Sequence, residues 1–236
     1  MLTVPERMLA TEIDGGSGVR VWCARVDLSP EEHGALHALL SPDERMRAAT
    51  YPGTIRGARF VSARGMLRQL LAHVIGVSAH AIRFAYGVDG KPSLGDDLAA
   101  SGIEFNLSHA RDVAVFAITR GRAVGIDVAS TGGVMPIEKL MARFFSAEER
   151  AAVADAPPEE RREAFSRIWV RKEAYLKGRG EGISQWAYRT DFSDPTGRRA
   201  LAPPPRVERD QDAWDVRDLR GVPPGFVGSV ALSRQG

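Results

Sequence analysis

Cysteine is almost missing from this chain, because Cys23 is the only one in 236 residues. An intramolecular disulfide is therefore impossible, and a reducing compartment is expected. Long apolar runs are missing as well: the longest clear one, Val113–Thr119, falls far short of the roughly 18 residues that suggest a membrane-spanning helix. The first residues also lack the charged and apolar regions of a secretory signal. We therefore predict a cytoplasmic protein without a membrane partner.

A strong excess of one charge is absent too, since 32 Lys and Arg residues stand against 30 Asp and Glu residues. Several arginines crowd into residues 45–68, which favours a local anion site over the broad basic face that nucleic acid requires. A nucleic-acid-binding helix at 56–68 is a weak alternative, because no aromatic stacking platform lies beside its basic residues. We predict no nucleic-acid partner.

Several familiar catalytic motifs are also missing, including the P-loop, the nucleophile elbow Gly-x-Ser-x-Gly and the Cys-x-x-Cys pair. His33 and His37 stand at helical spacing, but without a third ligand they indicate an exposed helix face rather than a zinc site. His109 differs, because it follows Ser108 in a predicted loop between two apolar strands. Such loops typically present polar side chains to a cleft.

The composition, with 44% apolar and 26% charged residues, can supply a hydrophobic core. In each half of the chain the pattern predicts a strand, then helices, then three strands, although the two halves share little sequence. We therefore predict an α+β fold of two similar α/β lobes, residues 1–121 and 122–236, with the active site in the cleft between them. The main predicted elements are helices at 54–75 and 137–144, a helix opened by Pro157-Pro158-Glu159, and strands near 103–107, 113–119, 123–128, 184–193, 213–219 and 225–232.

The helix at 54–75 is predicted to be amphipathic, with an apolar side and an opposite basic side. The basic side consists of Arg56, Arg59, Arg64 and Arg68.

The most informative stretch is 167–183, which reads as the end of a helix followed by glycines that terminate it. Trp169, Glu173 and Lys177 recur every four residues and so lie along one helix face. One interpretation is an ordinary surface Glu–Lys pair, worth ~0.3 kcal/mol. The other is a functional row of an aromatic ring, a carboxylate and an ammonium group.

A second carboxylate favours the functional interpretation. Asp127 ends the predicted strand Gly125-Ile126-Asp127-Val128, although a single Asp there can also be a turn or cap residue. Two converging carboxylates without His or Cys partners suit a hard cation such as Mg²⁺ or Mn²⁺. Magnesium takes its remaining ligands from water and substrate phosphates, and a phosphate in turn needs cationic partners.

Five motifs occur in an order that identifies a family. They are Gly90-Lys91-Pro92, Phe105-Asn106-Leu107-Ser108-His109, Gly125-Ile126-Asp127, Arg143-Phe144-Phe145-Ser146-Ala147-Glu148-Glu149 and Trp169-Val170-Arg171-Lys172-Glu173-Ala174-Tyr175-Leu176-Lys177. Together they resemble the 4′-phosphopantetheinyl transferases, specifically the long, two-lobed type that activates peptide and polyketide synthetases. The resemblance runs from about residue 40 to residue 190. The shorter type of this family has one lobe per chain and trimerises, so the doubled pattern predicts a monomer.

The resemblance implies a reaction and a set of ligands. The 4′-phosphopantetheine arm of coenzyme A would pass to a serine of an apo acyl or peptidyl carrier protein, with release of 3′,5′-ADP and with Mg²⁺ as the metal. Asp127 and Glu173 would hold the metal. Our own hypothesis is that Glu173 accepts the serine proton, directly or through a metal-bound water. Lys177 would lie by the pyrophosphate as a second catalytic group. The implied contacts with coenzyme A are Arg47 and Arg59 near the 3′-phosphate, and Lys91, Pro92, Ser108, His109 and Lys172 elsewhere on the phosphates or nucleotide.

This chain departs from the family pattern at one metal position. The family commonly has Asp-x-Glu with both acids on the metal, but here Ala129 stands in place of the second acid. We therefore expect weaker metal binding, a higher magnesium requirement or a preference for Mn²⁺. Asp112 is a candidate for compensation from the neighbouring loop. Glu44 also occupies a place where some relatives are basic.

Ala129 motivates an alternative function. A non-catalytic module that binds coenzyme A or a carrier protein would keep the fold and lose turnover.

The carrier is expected to dock through the apolar residues of helix 137–145, and ordinary core packing is the alternative role of those residues. They are Met135, Leu140, Met141, Phe144 and Phe145.

Overall fold

The computed structural model describes residues 8–87, 90–133, 135–180, 187, 190–193, 199–201 and 214–234. The elements of the first half are β1 (Thr11–Ile13), β2 (Arg20–Arg25), α1 (Pro30–Leu39), α2 (Pro42–Ala49), α3 (Ile55–Ile75), a 3₁₀ turn (Ala79–Ala81), β3 (Phe84–Tyr86), β4 (Pro92–Leu94), α4 (Asp96–Ala99), β5 (Ile103–Ala110) and β6 (Val113–Arg120). Those of the second half are β7 (Val124–Ser130), α5 (Ile137–Phe144), α6 (Ala147–Asp155), α7 (Arg161–Arg179), β8 (Arg199–Leu201), β9 (Trp214–Asp218) and β10 (Phe226–Ser233). The mixed α/β fold class is confirmed.

Two antiparallel sheets form the framework. One has the strand order β1-β2-β6-β5 and the other has the order β7-β10-β9-β8, while β3 and β4 pair separately as a two-stranded sheet. Alternate residues of a strand point to opposite faces of its sheet, and β6 is apolar on both. Phe116 packs with α1 and α3, whereas the adjacent Val115 packs with residues of the second sheet.

The two sheets share an apolar core on the faces that they turn toward each other. Val21 and Val115 of the first sheet lie in one cluster with Ile126 and Val230 of the second. The outer face of the first sheet is covered by α1 and α3, and that of the second by α7. The molecule is therefore layered as helices, sheet, sheet and helices. The predicted boundary between residues 121 and 122 stays a prediction.

The long helices begin and end where their local sequence dictates. Thr54 caps α3 by accepting a hydrogen bond from the Gly57 amide, and Gly76 ends the helix in the left-handed conformation. Gly180 ends α7 in the same way. The predicted extent of α3, 54–75, is confirmed. At the start of α6, Ser146 and Glu149 form a capping box.

The predicted basic side of α3 needs a correction. Arg56 is exposed and Arg59 is half-buried, but Arg64 and Arg68 are buried, and both form ion pairs with Glu44 of α2. Arg68 donates to Glu44 Oε2 at 2.7 Å and also to the carbonyl oxygens of Ala79 and Ile82. The basic residues of this helix therefore divide between the surface and a buried ion pair.

The strands predicted in the second half have mixed outcomes. β9 and β10 confirm the strands expected near 213–219 and 225–232. The strand expected near 184–193 lies largely outside the described residues, and the described ones among them, 187 and 190–193, are not in a strand. Among the described helices, none combines the length and the apolar composition that a membrane span needs.

Candidate functional site

The site is built where α7 crosses β7 at unusually short range. A Cβ atom on Gly125 would lie 2.0 Å from the Ala174 carbonyl oxygen and 2.2 Å from the Gly178 nitrogen. A Cβ atom on Gly178 would lie 2.5 Å from the Trp214 ring. Only glycine at both positions allows this approach. It brings the last two turns of α7 against the strand that carries Asp127.

Asp127 is the centre of a polar network at this crossing. Its side chain is buried, and its Oδ1 accepts hydrogen bonds from the Ser108 hydroxyl and from the Lys177 ammonium, both at 2.6 Å. Lys177 also donates to Ser108 Oγ at 3.0 Å. β5, β7 and α7 each supply one member of the network. A second hydrogen bond also joins β5 to β7, because the Asn106 side-chain oxygen accepts from the Ile126 amide at 3.0 Å.

Glu173 faces the same network from α7. Burial and, next, the negative charge of Asp127 raise the pKa of Glu173 to about 7, although Lys177 acts in the opposite direction. A divalent cation bound here would offset the repulsion that the charge of Asp127 exerts on the Glu173 carboxylate. The predicted convergence of Asp127 and Glu173 is therefore present in the fold.

These side chains line a cavity of 450 Å³, which we call the carboxylate cavity. Its lining includes the whole predicted row Trp169, Glu173 and Lys177, which confirms that the three residues share one face of the helix. The remaining lining residues are Ser108, His109, Ala110, Arg111, Asp127, Val128, Ala129, Ser130, Gly132, Gly133 and Met135.

A second cavity, of 320 Å³, opens beside the first and shares Ser108, His109 and Lys177 with it. We call it the arginine cavity, because Arg47 and Arg64 line it together with Phe60, Ala63 and Leu107. The two cavities together offer one face with carboxylates and one with cations. This is the division that a phosphate-bearing ligand with a bound metal would need.

His109 lies on β5 and not in a loop, since only Arg111 and Asp112 form the turn to β6. Its side chain borders both cavities. Burial of the imidazole and, next, the positive charge of Lys177 hold its pKa below the usual value of 6.5. His109 is therefore neutral at pH 7 and can donate or accept one hydrogen bond.

Lys91 lies apart from the other predicted contacts. Its ammonium donates to the carbonyl oxygens of Val124 and Gly178, both at 3.1 Å, so it ties the β3–β4 sheet to the crossing of β7 and α7. Burial lowers the pKa of Lys91 from its usual 10.5. Pro92 begins β4 opposite Tyr86. Contacts of Lys91 and Pro92 with a nucleotide remain predictions.

The two arginines assigned to one phosphate have different surroundings. Arg47 is exposed and lines the arginine cavity, as expected. Arg59 instead forms a two-pronged ion pair with Asp27, with both hydrogen bonds at 2.7 Å. The structure therefore brings Arg47 to the cavity and engages Arg59 with a carboxylate of the protein itself.

The prediction that Lys172 contacts a phosphate is wrong. Its side chain is fully buried and forms an ion pair with Glu149 at 2.9 Å. The same ammonium donates to the carbonyl oxygens of Ala187 and Thr190. With its charge neutralised inside the protein, Lys172 holds the fold of the second half and does not face either cavity.

Among the residues that the structure describes, no acid takes the place of the missing second one. Ala129 is buried against Val170 and Val227. Asp112, the candidate for compensation, is ion-paired with Arg25 and does not line the carboxylate cavity. Across the described part of the chain, no group of three His, Cys, Asp or Glu side chains is arranged to hold a metal ion. Of the described residues, Asp127 and Glu173 are the acids that line this cavity.

The helix expected to receive the carrier is largely a core element. Met141, Phe144 and Phe145 are buried in the cluster under α7, while Met135 and Leu140 are partly buried against it. The outer face of α5 presents Lys139 and Arg143. Core packing therefore accounts for most of its apolar residues.

Two residues of the site escaped the sequence analysis. Arg64 lines the arginine cavity, and Arg111 lines the carboxylate cavity with a backbone φ of 52°. Arg64 had a usable signal, the i,i+4 spacing of Phe60, Arg64 and Arg68. A bulky residue in the left-handed region, as at Arg111, has no signature in a single sequence.

Comparison with known proteins gives consistent results. A family model described as the 4′-phosphopantetheinyl transferase superfamily matches residues 123–221. The chain is 37% identical to the 4′-phosphopantetheinyl transferase HetI of Nostoc over 167 residues, which are 71% of this chain and 70% of that protein. It is 26% identical to the 4′-phosphopantetheinyl transferase Sfp of Bacillus subtilis over 158 residues, 66% of this chain and 67% of that protein.

A human relative, named L-aminoadipate-semialdehyde dehydrogenase-phosphopantetheinyl transferase, is 27% identical over 161 residues. The match covers 65% of this chain and 52% of the human protein, about half of its length. The family and the enzyme class predicted from the five motifs are confirmed: the chain belongs to the 4′-phosphopantetheinyl transferase superfamily.

Proposed function

We propose that this protein transfers the 4′-phosphopantetheine arm of coenzyme A to a serine of an apo acyl or peptidyl carrier protein and releases 3′,5′-ADP. The observation that carries the proposal is the Asp127–Ser108–Lys177 network beside Glu173, in a cavity that continues into one lined by arginines. We propose that the carrier serves a peptide or polyketide synthetase. A cytoplasmic monomer with lobes 1–121 and 122–236 fits the reaction, since donor and acceptor would meet between them.

The carboxylates fit a divalent metal. Asp127 Oδ1 is occupied by Ser108 and Lys177, and Glu173 has a raised pKa because its charge is repelled and poorly hydrated. Asp127 and Glu173 would therefore hold Mg²⁺, with Mn²⁺ as the alternative that the missing second acid favours. A bound divalent ion would neutralise charge on the pyrophosphate as the bond breaks.

The chemistry requires little covalent help from the protein. The serine oxygen of the carrier forms a new bond to the β-phosphorus of coenzyme A. The bond from that phosphorus to the bridging oxygen breaks, and 3′,5′-ADP leaves with the electron pair. Glu173 takes the serine proton as the general base, directly or through a water molecule. Positioning and charge neutralisation supply most of the remaining rate.

Lys177 and His109 serve the phosphate side of the reaction. The ammonium of Lys177 lies 2.6 Å from Asp127 Oδ1, and the residue borders both cavities. It can therefore stabilise negative charge on the pyrophosphate and on the leaving group. His109 is neutral and can donate one hydrogen bond to a phosphate oxygen. It carries no second ring proton that it could release to Glu173.

The test is the intact mass of a purified apo carrier protein after incubation with this protein, coenzyme A and either Mg²⁺ or Mn²⁺. A gain of about 340 Da per carrier is expected for one transferred arm. An EDTA-treated sample should show no gain. The metal that restores transfer at the lower concentration identifies the one that two carboxylates can hold.

A second candidate function is a non-catalytic module that binds coenzyme A or a carrier protein. Ala129, buried where the family has an acid, is the observation that favours it. Absence of a mass gain with several carriers at high metal concentration, while coenzyme A still binds, would replace the proposed transferase with this module.

A further inference from the structure

Lys91 is a half-buried cation of the first half whose ammonium is bonded to backbone of the second half. It donates to the carbonyl oxygens of Val124 in β7 and of Gly178 in α7, both at 3.1 Å. Burial lowers the pKa of Lys91, and the charge of Glu104 offsets only part of that effect. Lys91 is not among the described residues that line the arginine cavity or the carboxylate cavity. Its partners are therefore structural elements of the protein.

The two carbonyl groups belong to element ends that lack backbone partners of their own. Gly178 lies in the last turn of α7, where carbonyl oxygens have no amide donor within the helix. A cation at this end also interacts favourably with the helix dipole. Val124 begins β7, which is an edge strand in the sheet order β7-β10-β9-β8. One ammonium thus joins the end of a helix to the edge of a sheet.

This junction is next to the proposed reacting groups. Val124 precedes Gly125, and a Cβ atom on Gly125 would lie 2.2 Å from the Gly178 nitrogen, so the ammonium bonds both sides of the close crossing. Gly178 also follows Lys177, whose ammonium lies 2.6 Å from Asp127 Oδ1. A displacement of the last turn by about 1 Å would break that contact, and errors of this size can slow catalysis by about 100-fold.

A second side chain of the first half supports the same strand. Asn106 of β5 is buried, and its side-chain oxygen accepts from the Ile126 amide at 3.0 Å. The edge of β7 is therefore bonded from the first half at Val124 and again at Ile126, and the Ser108 hydroxyl bonds Asp127 beside them. β5 is itself an edge strand, in the order β1-β2-β6-β5. Side chains, and not strand pairing, join the two sheets at the site.

We propose that Lys91 is a positioning residue that holds the last turn of α7 against β7, and that it governs the rate of transfer rather than the affinity for coenzyme A. The inference rests on the proposed function, since transfer is the reaction whose rate it concerns. It differs from the contact with the phosphates or nucleotide that the family resemblance implies for Lys91. Two of the three N–H donors of the ammonium are already used by backbone carbonyls.

The first measurement separates rate from affinity in Lys91→Met. The single-turnover rate of carrier modification at saturating coenzyme A and metal should fall by about 10- to 100-fold, because Lys177 and Glu173 lose their alignment. The dissociation constant of coenzyme A, from isothermal titration calorimetry without a carrier, should change less than about threefold. Lys139→Met removes an exposed lysine of α5 and should leave both values unchanged. A direct phosphate contact would instead raise the dissociation constant about tenfold or more.

The second measurement asks whether the effect is local. In hydrogen–deuterium exchange, Lys91→Met should speed exchange of amides 174–180 by about tenfold and leave amides 161–170 at the wild-type rate. Equal acceleration along the whole of α7 would overturn the positioning role and make Lys91 a general support of the fold. Lys91→Arg should recover most of the rate, because a guanidinium can also donate to two carbonyl groups.

The outcomes distinguish this inference from the function on which it rests. A wild-type protein that transfers no arm would refute the proposed function, and the exchange measurement would still decide whether Lys91 holds α7. Transfer by Lys91→Met within about threefold of the wild-type rate would refute the inference alone. If Lys91→Met does not fold, Lys91→Gln, which keeps an N–H donor without the charge, is measured in the same two ways with the same expectations.

Discussion

The two halves of the molecule contain the same buried ion-pair arrangement but different surfaces beside it. In the first half Glu44, three residues after Ser41, pairs with Arg68 of α3, which also donates to the carbonyls of Ala79 and Ile82. In the second half Glu149, three residues after Ser146, pairs with Lys172 of α7. Lys172 likewise donates to two carbonyls beyond its helix, those of Ala187 and Thr190. The arrangement is therefore a feature of the fold and not of the chemistry.

The halves differ in what the long helix presents to its sheet. α3 contributes Met66 and Leu70 to the same apolar cluster as Trp22 of β2. α7 approaches β7 at Gly125 and presents Glu173 and Lys177 toward Asp127. One half is thus a scaffold that adds Ser108, His109 and the arginines, and the other supplies the carboxylates. A residue in a family motif can belong to either role, as Lys172 and Glu173 show from adjacent positions.

Breaking the shared ion pair should have the largest effect on stability. Lys172→Met leaves Glu149 charged and unpaired in the interior, so the free energy of unfolding should fall by about 3–5 kcal/mol. The measurement is urea unfolding, with Lys139→Met on the exposed face of α5 as the control. Adding Glu149→Gln to Lys172→Met should recover part of the loss. A loss below about 1 kcal/mol in the single variant would show that the pair is not a stabilising element of this half.

The close crossing of α7 and β7 can be tested with two glycines. Gly125→Ala places a methyl group against the Ala174 carbonyl and should destabilise the protein by about 1–3 kcal/mol or more, because backbone must move. Gly34→Ala in α1 meets nothing within 4 Å and should stabilise it by about 0.5–1 kcal/mol through helix propensity. Thermal unfolding of both variants decides the matter. A Gly125→Ala variant as stable as the wild-type protein would contradict the packing described for Gly125.

The raised pKa of Glu173 in the second half predicts that the stability of the protein falls as the pH rises. Below about pH 4.5 the carboxyl is protonated in the folded and unfolded states, so Glu173→Gln should change little there. As pH rises toward 7, the unfolded chain releases this proton while the folded chain keeps it, and stability falls. At pH 8 in EDTA, Glu173→Gln should therefore be more stable than wild type by about 1–2 kcal/mol, allowing for partial exposure.

Melting temperatures of both proteins across this pH range give the measurement. Asp96→Asn, on the short helix α4 of the first half, controls for removal of an acid. A Glu173→Gln variant that is less stable than wild type at pH 8 would mean that the carboxylate is satisfied by a partner.

Restoring the missing acid at position 129 should have the smallest effect, because it changes only the affinity for the metal. Positions 127 and 129 share a face of β7, so Ala129→Glu should lower the Mg²⁺ concentration for half-maximal transfer by about tenfold. Ala129→Gln, equal in size but uncharged, is the control. The packing of Ala129 with Val170 and Val227 predicts some loss of stability in both. An unchanged metal requirement in a folded Ala129→Glu variant would show that position 129 does not reach the metal.

Much of this arrangement was predictable from local spacing. The row Trp169, Glu173 and Lys177 follows from helical periodicity, and the limits of α3 follow from Thr54 and Gly76. The burial of Lys172 and Arg64 did not follow, because each depends on a glutamate of another helix about twenty residues upstream. A helix pattern places a cation on a face but does not say which anion lies opposite.

The loop assignment of His109 failed for a related reason. Ser108, His109 and Ala110 extend β5 by pairing with Val115, Ala114 and Val113, so the turn is shorter than the polar residues suggested. Pairing across strands, and not residue type, decides where such a strand ends. The role of Gly125 was likewise hidden, since nothing local shows that a helix fifty residues away will touch it.

The central claim is that chemistry resides at Glu173 while its neighbour Lys172 maintains the fold. The most direct test is the single-turnover rate of carrier modification by Glu173→Gln, at saturating coenzyme A and metal, measured as the about 340 Da gain in carrier mass. The account predicts a folded protein that still binds coenzyme A and transfers at least about 100-fold more slowly, as expected for loss of a general base. A rate within about threefold of wild type would contradict it.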